Sequence, residues 1–134
     1  MKAVDTNVLV RYIVQDDPKQ SAVATRFVEK TCSKEEPAFI NHIVLCEMVW
    51  VLESCYGQSR TQTLKVLEQV LRVAQFRVED AHDVWRAVED YRHSRADFAD
   101  HMLARINQAH GCEVTFTFDS SAASAPGLDR KSVV

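Results

Sequence analysis

The sequence predicts an α/β fold in which a short, mainly parallel sheet is covered by helices on both faces. Short apolar segments alternate along the chain with segments whose apolar residues recur at helical spacing, an order typical of parallel sheets. Only 3 Gly and 3 Pro occur among 134 residues, which favours long regular elements. Hydrophobic residues make up 46% of the chain, enough to build the core of one domain. We expect that domain to span residues 1–128 and a tail to follow it at 129–134.

The N-terminal elements follow from apolar spacing and from capping residues. Residues 2–4 predict a short buried strand, after which Asp5-Thr6-Asn7 favours a turn and a helix cap. A first helix is expected from Val8, because apolar residues continue there at helical spacing. A second begins at Asp17-Pro18, since Asp is a favourable N-cap and Pro suits the first helical position. Its expected core residues are Ala22, Phe27 and Val28.

A strongly apolar helix dominates the middle of the chain. It follows a predicted strand at 38–40, is capped by Asn41 and ends near Gly57. Because residues 43–52 are apolar almost all round the helix, we expect it to be buried on most sides. Ser59 starts the next helix, whose predicted core residues are Leu64, Leu67, Val70 and Leu71.

Two strands and two helices are predicted in the last part of the chain. Residues 76–79 predict a weak strand, and helices are expected over 80–93 and 96–110. Residues 114–118 are β-branched and aromatic, which makes them the clearest strand of the chain. From Ser124 onward we expect no regular structure.

The four cysteines and the N-terminus indicate the compartment. The cysteines lack the spacings of a metal site, so we expect reduced thiols, with Cys46 and Cys112 buried in apolar stretches. The sequence shows no signal-peptide pattern and no apolar run of about 20 residues. It therefore predicts a soluble, cytoplasmic protein without membrane association.

Acidic side chains outnumber basic ones, 19 to 16, and a few of them are unusually placed. The net charge of −3 gives no bulk indication of nucleic-acid binding. Asp5 directly follows the first predicted strand and Asp119 the last, and ligands collect at the carboxyl ends of parallel strands. A turn or a helix cap would explain either residue alone, whereas two at corresponding positions favour a shared site.

Glu47 interrupts the most apolar helix of the chain. Burial of a lone carboxylate costs several kcal/mol unless it is paired or bound to a metal. Two interpretations follow. Glu47 forms a buried ion pair, for example with Arg11 or Arg105, or it belongs to a functional site.

Asp97 and Asp100 are three residues apart and share a helix face. The helix dipole explains an acid at Asp97, whereas Asp100 lies a turn deeper among apolar neighbours. A cluster of carboxylates needs a cation, and all-oxygen ligands suit Mg²⁺ or Mn²⁺. Such sites are typical of phosphodiester hydrolysis. With 3 Gly in the chain, phosphate-cradling glycine loops are excluded.

Four short segments carry a family resemblance. They are Asp5-Thr6-Asn7, Leu45-Cys46-Glu47, Ala96-Asp97-Phe98-Ala99-Asp100 and Thr115-Phe116-Thr117-Phe118-Asp119. In this order they resemble the PIN domain family and, within it, the VapC-type ribonuclease toxins of toxin–antitoxin pairs. The resemblance extends from residue 2 to about residue 128. It implies a three-layer α/β/α sandwich with about seven helices.

The resemblance also implies roles for particular residues. The family's acidic positions, which bind Mg²⁺ or Mn²⁺ in catalysis, fall on Asp5, Glu47, Asp100 and Asp119. Asp97 competes with Asp100 for the third position and is otherwise an auxiliary ligand. Supporting polar side chains are Thr6, Asn7 and Thr117. Arg92 and Arg95, just before the acidic helix, are best placed to meet an RNA backbone, although a solvated helix end explains them equally well.

The function implied by the resemblance is metal-dependent cleavage of RNA. The chain would be the endoribonuclease toxin of a type II toxin–antitoxin system, acting on tRNA or ribosomal RNA. Implied partners are a VapB-like antitoxin and a second copy of the chain, in a homodimer or a larger toxin–antitoxin assembly. The main alternative is a non-catalytic PIN-like module that binds RNA or protein. A phosphatase or a DNA-directed nuclease could use the same acids.

Overall fold

The structure, a computed structural model, describes residues 1–130 and has the mixed α/β architecture that the sequence predicts. The chain forms two compact units, Met1–Glu79 and the residues from Asp80 onward. Six α-helices and five short strands occur in the described part, and every strand pairing is parallel. None of the helices within residues 1–130 combines the length and hydrophobicity that crossing a bilayer requires. A single domain over 1–128 stays a prediction.

The first unit consists of a three-stranded sheet and four α-helices. The strands, in sheet order, are β1 (Lys2–Ala3), β2 (Ala38–Ile40) and β3 (Phe76–Val78). The helices are α1 (Thr6–Val14), α2 (Pro18–Arg26), α3 (His42–Ser54) and α4 (Arg60–Arg72). A π-helical turn, Phe27–Thr31, continues α2.

Side-chain caps start these helices where the sequence predicts them. The Asp17 carboxylate accepts a hydrogen bond from the Gln20 N–H (3.0 Å) and begins α2. Asn41 accepts from the Val44 N–H (2.9 Å) and begins α3. Ser59 forms a reciprocal capping box with the first turn of α4. Each cap satisfies a backbone donor that the helix itself leaves unpaired, so these boundaries are confirmed.

The apolar helix α3 buries one face rather than most of its circumference. Its buried residues are Val44, Leu45, Met48, Val49 and Leu52. Ile43 and Trp50 lie on the opposite face and are 69% and 64% exposed. The predicted burial on most sides is therefore wrong, because α1 and α4, the helices that pack against α3, cover a single stripe. In α2, Ala22 is likewise exposed, whereas Val28 in the following turn is buried as predicted.

The second unit consists of two packed helices and a two-stranded sheet. The helices are α5 (Ala81–His93) and α6 (Phe98–Ala109), and the strands are β4 (Thr115–Thr117) and β5 (Leu128–Arg130). The rings of Tyr91 and Phe98 meet edge to face at 5.7 Å and join α5 to the start of α6. These two side chains are fully buried and form the centre of the helix pair.

Strand β5 is a correction to the sequence prediction, which expected no regular structure after Ser124. Thr115 of β4 pairs with Leu128, and a short 3₁₀ turn, Ala122–Ser124, precedes the new strand. Gly127 has φ +87°, a conformation that favours glycine, and it turns the chain into β5. The strand is only 3 residues long and depends on its partner rather than on local propensity. Residues 131–134 of the expected tail lie outside the described part.

The cysteines are distributed differently from the prediction. Cys32 is buried and Cys46 half-buried, but Cys112 is exposed and so is Cys55. Cys112 was expected in an apolar stretch, yet it follows the turn at Gly111 that ends α6 and points to solvent. Burial raises the pKa of the Cys46 thiol to about 11, so this thiol stays protonated at neutral pH.

We expect native protein at pH 8 to show two rapidly and two slowly reacting thiols with a soluble disulfide reagent. Cys55 and Cys112 supply the rapid phase because they are exposed, whereas Cys32 and Cys46 react slowly because burial disfavours their thiolates. Unfolding in urea should make all four react at one rate. Four rapid thiols in the native protein would contradict this burial pattern.

Candidate metal centre

Asp5 stands where the first strand gives way to the first helix. The Val4 N–H still donates to the Phe39 carbonyl of the sheet (3.2 Å), and Asp5 itself has an extended backbone. Its Oδ1 accepts a hydrogen bond from the Thr6 N–H (2.7 Å) and caps α1. The side chain is exposed, so the predicted turn and cap place a carboxylate at the positive end of a helix.

Glu47 lies on the exposed face of α3, between Ile43 and Trp50. Its interpretation as a buried carboxylate is wrong, because the buried stripe of α3 runs along the other side of the helix. Ile43 and Trp50 are exposed for the same reason. The spacing of Val44, Leu45 and Met48 within the helix was the signal that could have shown this.

The alternative interpretation of Glu47 as a partner of Arg11 or Arg105 also fails. Arg105 makes a bidentate contact with Asp90, with N···O distances of 2.6 and 2.9 Å. Arg11 contacts Asp16 at 3.2 Å. Within the described part of the first unit Arg11 forms no ion pair with Glu47, and Glu47 is exposed, so it is not a member of a buried ion pair.

Asp5 and Glu47 line the same surface cavity of the first unit, which has a volume of about 590 Å³. The N-terminal turns of α1 and the exposed face of α3 supply its walls. Its lining residues are Asp5, Thr6, Asn7, Val10, Arg11, Glu47, Val51, Cys55 and Tyr56. The structure thus brings two of the predicted acids to one concave surface that is large enough for a small ligand.

The two polar residues after Asp5 also reach this cavity, but in different ways. Asn7 is exposed, so its amide is available to a ligand. Thr6 is 8% exposed, and its buried Oγ1 has no hydrogen-bond partner among residues 1–130. A buried hydroxyl without a partner is costly unless a ligand or water satisfies it.

Asp97 and Asp100 share the start of α6. Asp97 occupies the N-cap position, and Asp100 Oδ2 accepts a hydrogen bond from the Asp97 N–H (3.2 Å). Asp97 is exposed, whereas Asp100 is half-buried. The predicted sharing of one helix face is confirmed, and the two carboxylates differ in environment.

Asp119 sits in a tight turn that follows β4. Its Oδ1 accepts from the Ser121 N–H (2.8 Å) and from the Ala122 N–H (3.3 Å). The Asp119 N–H donates to Thr117 Oγ1 (3.0 Å), so Thr117 fixes the backbone that carries the acid. These hydrogen bonds hold an exposed carboxylate in one orientation.

The acids of the second unit interact electrostatically around Asp100. Burial raises the pKa of the Asp100 carboxyl, the hydrogen bond from the Asp97 backbone opposes this, and the charges of Asp97 and Asp119 raise it further. Within this unit, however, the three carboxylates do not all approach within 4.8 Å of one another. The structure thus places the predicted acids in two groups, one in each unit.

Other charged residues are engaged locally. Arg92 Nε donates to Glu89 Oε2 (3.3 Å) one helical turn earlier, while Arg95 is exposed. In the first unit, His42 Nδ1 lies 3.4 Å from Glu79 Oε1, a pairing of potential metal ligands that the sequence did not single out. The phosphate-binding role of Arg92 and Arg95 stays a prediction.

Tyr56 is a polar residue of the cavity that the sequence did not predict. It follows the end of α3, and its hydroxyl donates to Asp16 Oδ2 (2.7 Å) and accepts from Arg11 Nη1 (3.0 Å). Arg11 and Tyr56 are 45 positions apart, so no short sequence motif contains both. Their contact becomes visible only when α1 packs against α3.

Comparison with known proteins identifies the family. A search of curated proteins found no match. The profile of the PIN domain family, in contrast, matches residues 2–128, which are nearly the whole of the chain. The match covers almost all of the first unit and most of the second. The chain belongs to the PIN domain family.

Proposed function

We propose that the chain is a metal-dependent endoribonuclease and the toxin of a type II toxin–antitoxin pair of the VapC type. PIN domains are generally metal-dependent nucleases, and this general activity is the starting point. The observation that carries the proposal is the cavity of the first unit, which Asp5 and Glu47 line together. The choice of RNA and the toxin role rest on the resemblance of the four sequence segments to VapC-type toxins.

The carboxylates fit a hard divalent cation. Their donor atoms are all oxygens, which favours Mg²⁺ or Mn²⁺ over zinc. Burial raises the pKa of Asp100 and the charges of Asp97 and Asp119 raise it further, and a bound cation would offset this repulsion. The proposed ligands are Asp5, Glu47, Asp100 and Asp119, with Asp97 as an auxiliary ligand.

A bound Mg²⁺ or Mn²⁺ supplies Lewis-acid chemistry, which acidifies water and offsets the charge that develops on a phosphate. The protein contributes orientation. The Thr6 N–H holds the Asp5 carboxylate, and the turn after β4 holds the Asp119 carboxylate, so both acids are oriented by backbone donors. Asn7 offers an exposed amide that can donate to a phosphate oxygen.

The proposal includes three kinds of partner. RNA is the substrate, with Arg92 and Arg95 as candidate contacts to its backbone. A VapB-like antitoxin would block the site. A second copy of the chain would form a homodimer.

The substitution Asp5→Asn should lower RNA cleavage by about 100-fold or more while leaving the fold intact. Asn caps a helix as well as Asp does, so α1 keeps its start and the change removes only the charge. The measurement is cleavage of labelled single-stranded RNA with Mn²⁺ or Mg²⁺, and a chelator should abolish the wild-type activity. Asp17→Asn, which changes the cap of α2 in the same way, is the matched control. RNA binding without cleavage by the wild type would instead favour a binding module.

Asp100→Asn should reduce cleavage far more than Asp97→Asn. The Asp100 carboxylate is half-buried and repelled by two other acids, whereas Asp97 is exposed at the N-cap, where Asn is equally suitable. Initial rates at several Mn²⁺ concentrations separate the two, because a lost ligand also raises the metal requirement. Equal losses in both variants would mean that the two acids share the third position.

Expression of the wild type in a bacterial host should arrest growth, and Asp5→Asn should relieve the arrest at equal protein level. Sequencing of RNA ends after brief expression would show the cleaved RNA, with Asp17→Asn retaining the wild-type pattern. Growth arrest by Asp5→Asn would contradict a toxin that acts by metal-dependent cleavage. Cleavage of DNA rather than RNA by the purified protein would contradict the substrate class.

A further inference from the structure

Among residues 1–130, Arg11 is the one basic side chain that lines the cavity shared by Asp5 and Glu47. It projects from α1, about one and a half helical turns beyond the Asp5 cap. Acidic walls alone would repel a polyanionic ligand, so a fixed positive charge at this place needs an explanation. It also lines a second cavity, of about 580 Å³, between α1 and α2.

Four hydrogen bonds among Arg11, Asp16, Gln20 and Tyr56 fix the guanidinium in place. Arg11 Nε donates to Gln20 Oε1 (2.7 Å), and Nη1 donates to the Tyr56 hydroxyl (3.0 Å) and to Asp16 Oδ1 (3.2 Å). Tyr56 in turn donates to Asp16 Oδ2 (2.7 Å). The hydrogen bond from Tyr56 lowers the pKa of Asp16, so this carboxylate is charged at neutral pH and anchors the arginine.

One nitrogen of the guanidinium, Nη2, remains for a ligand. Nε and Nη1 make all the Arg11 hydrogen bonds found within residues 1–130, and Nη2 makes none. The side chain is 29% exposed. An arginine that is oriented by protein partners at Nε and Nη1 is suited to contact a phosphate through Nη2, because little side-chain freedom is lost on binding.

We propose that Arg11 binds a backbone phosphate of the single-stranded RNA that enters this cavity, and that Tyr56 is the residue that positions Arg11. This inference rests on the proposed function and extends it with a specific RNA contact. Tyr56 is 36% exposed and lines the same cavity, so its ring is also available to an unpaired base beside that phosphate.

A purely structural role is the competing explanation. The same hydrogen bonds join α1 to residues that follow α3 and to the turn before α2, and they would stabilise the unit without any RNA. The two roles differ in salt dependence. Each residue that contacts a phosphate releases counterions, which steepens the plot of log K against log salt by about 0.7 for single-stranded RNA. A purely structural contact leaves this slope unchanged.

The experiment compares Arg11→Gln, Arg11→Lys and Tyr56→Phe with the wild type in two assays. Fluorescence anisotropy with a short labelled single-stranded RNA in chelator gives Kd over a range of NaCl concentrations without cleavage. Cleavage with Mn²⁺ gives kcat and KM. Arg26→Gln is the matched control, since Arg26 is exposed on α2 and lines neither cavity.

Arg11→Gln should weaken binding about tenfold and reduce the salt slope by about 0.7, raising KM more than it lowers kcat. Arg11→Lys should keep the salt slope but bind more weakly than the wild type, because the charge remains and the oriented fork is lost. Tyr56→Phe should weaken binding by a few-fold with an unchanged slope. Arg26→Gln should match the wild type.

Two results would overturn the inference. One is an Arg11→Gln variant with an unchanged salt slope and KM, even if its Tm falls; the other is an Arg26→Gln variant with an equal loss. If Arg11→Gln fails to fold, Arg11→Lys and Tyr56→Phe decide through Kd and KM, and wild-type values in both variants would overturn the inference. Wild-type protein that binds RNA but never cleaves it would refute the nuclease proposal and leave the binding assay valid. Wild-type protein that neither binds nor cleaves RNA refutes both.

Discussion

The hydrogen bond from the Thr6 N–H to the Asp5 carboxylate determines much of what the first unit can do. It ends β1 and starts α1 at a fixed residue, and every later side chain on α1 takes its direction from that start. Asn7 and Arg11 therefore reach the cavity that Asp5 and Glu47 line. A shift of the helix start by one residue would rotate these side chains by about 100° and disperse the group. The Asp5 carboxylate is thus both the cap of α1 and a candidate metal ligand.

In the second unit, burial and neighbouring carboxylates destabilise the charged form of Asp100. Asp100 is half-buried beside Asp97 and Asp119, and its pKa is raised because the charged form is poorly accommodated. Backbone N–H groups hold the Asp119 carboxylate in place, and Asp97 occupies the N-cap position at the start of α6. Selection for stability alone favours replacement of such a group, whereas a cation converts the repulsion into binding energy.

Local chemistry made much of this architecture predictable. Caps at Asp17, Asn41 and Ser59 mark helix starts because a side-chain oxygen must satisfy backbone donors there, and this rule needs no tertiary information. The predictions are wrong where burial or strand formation depends on a packing partner that is distant in the sequence. Glu47 is exposed because only one stripe of α3 is covered, and β5 forms because β4 pairs with it. Composition shows neither the partner of an apolar face nor that of a three-residue strand.

Binding of RNA by a chain of net charge −3 requires that charge act locally rather than in bulk. At physiological salt the Debye length is about 8 Å, so a phosphate in the cavity responds to the groups beside it and hardly to distant surface acids. One or two divalent cations on the acids would bring the whole chain to about neutrality, leaving the anchored Arg11 as a fixed positive charge on the cavity wall. The Arg11–Asp16–Tyr56 contacts then matter more for orientation than for charge, because Asp16 offsets the net charge while the contacts at Nη1 fix the direction of Nη2.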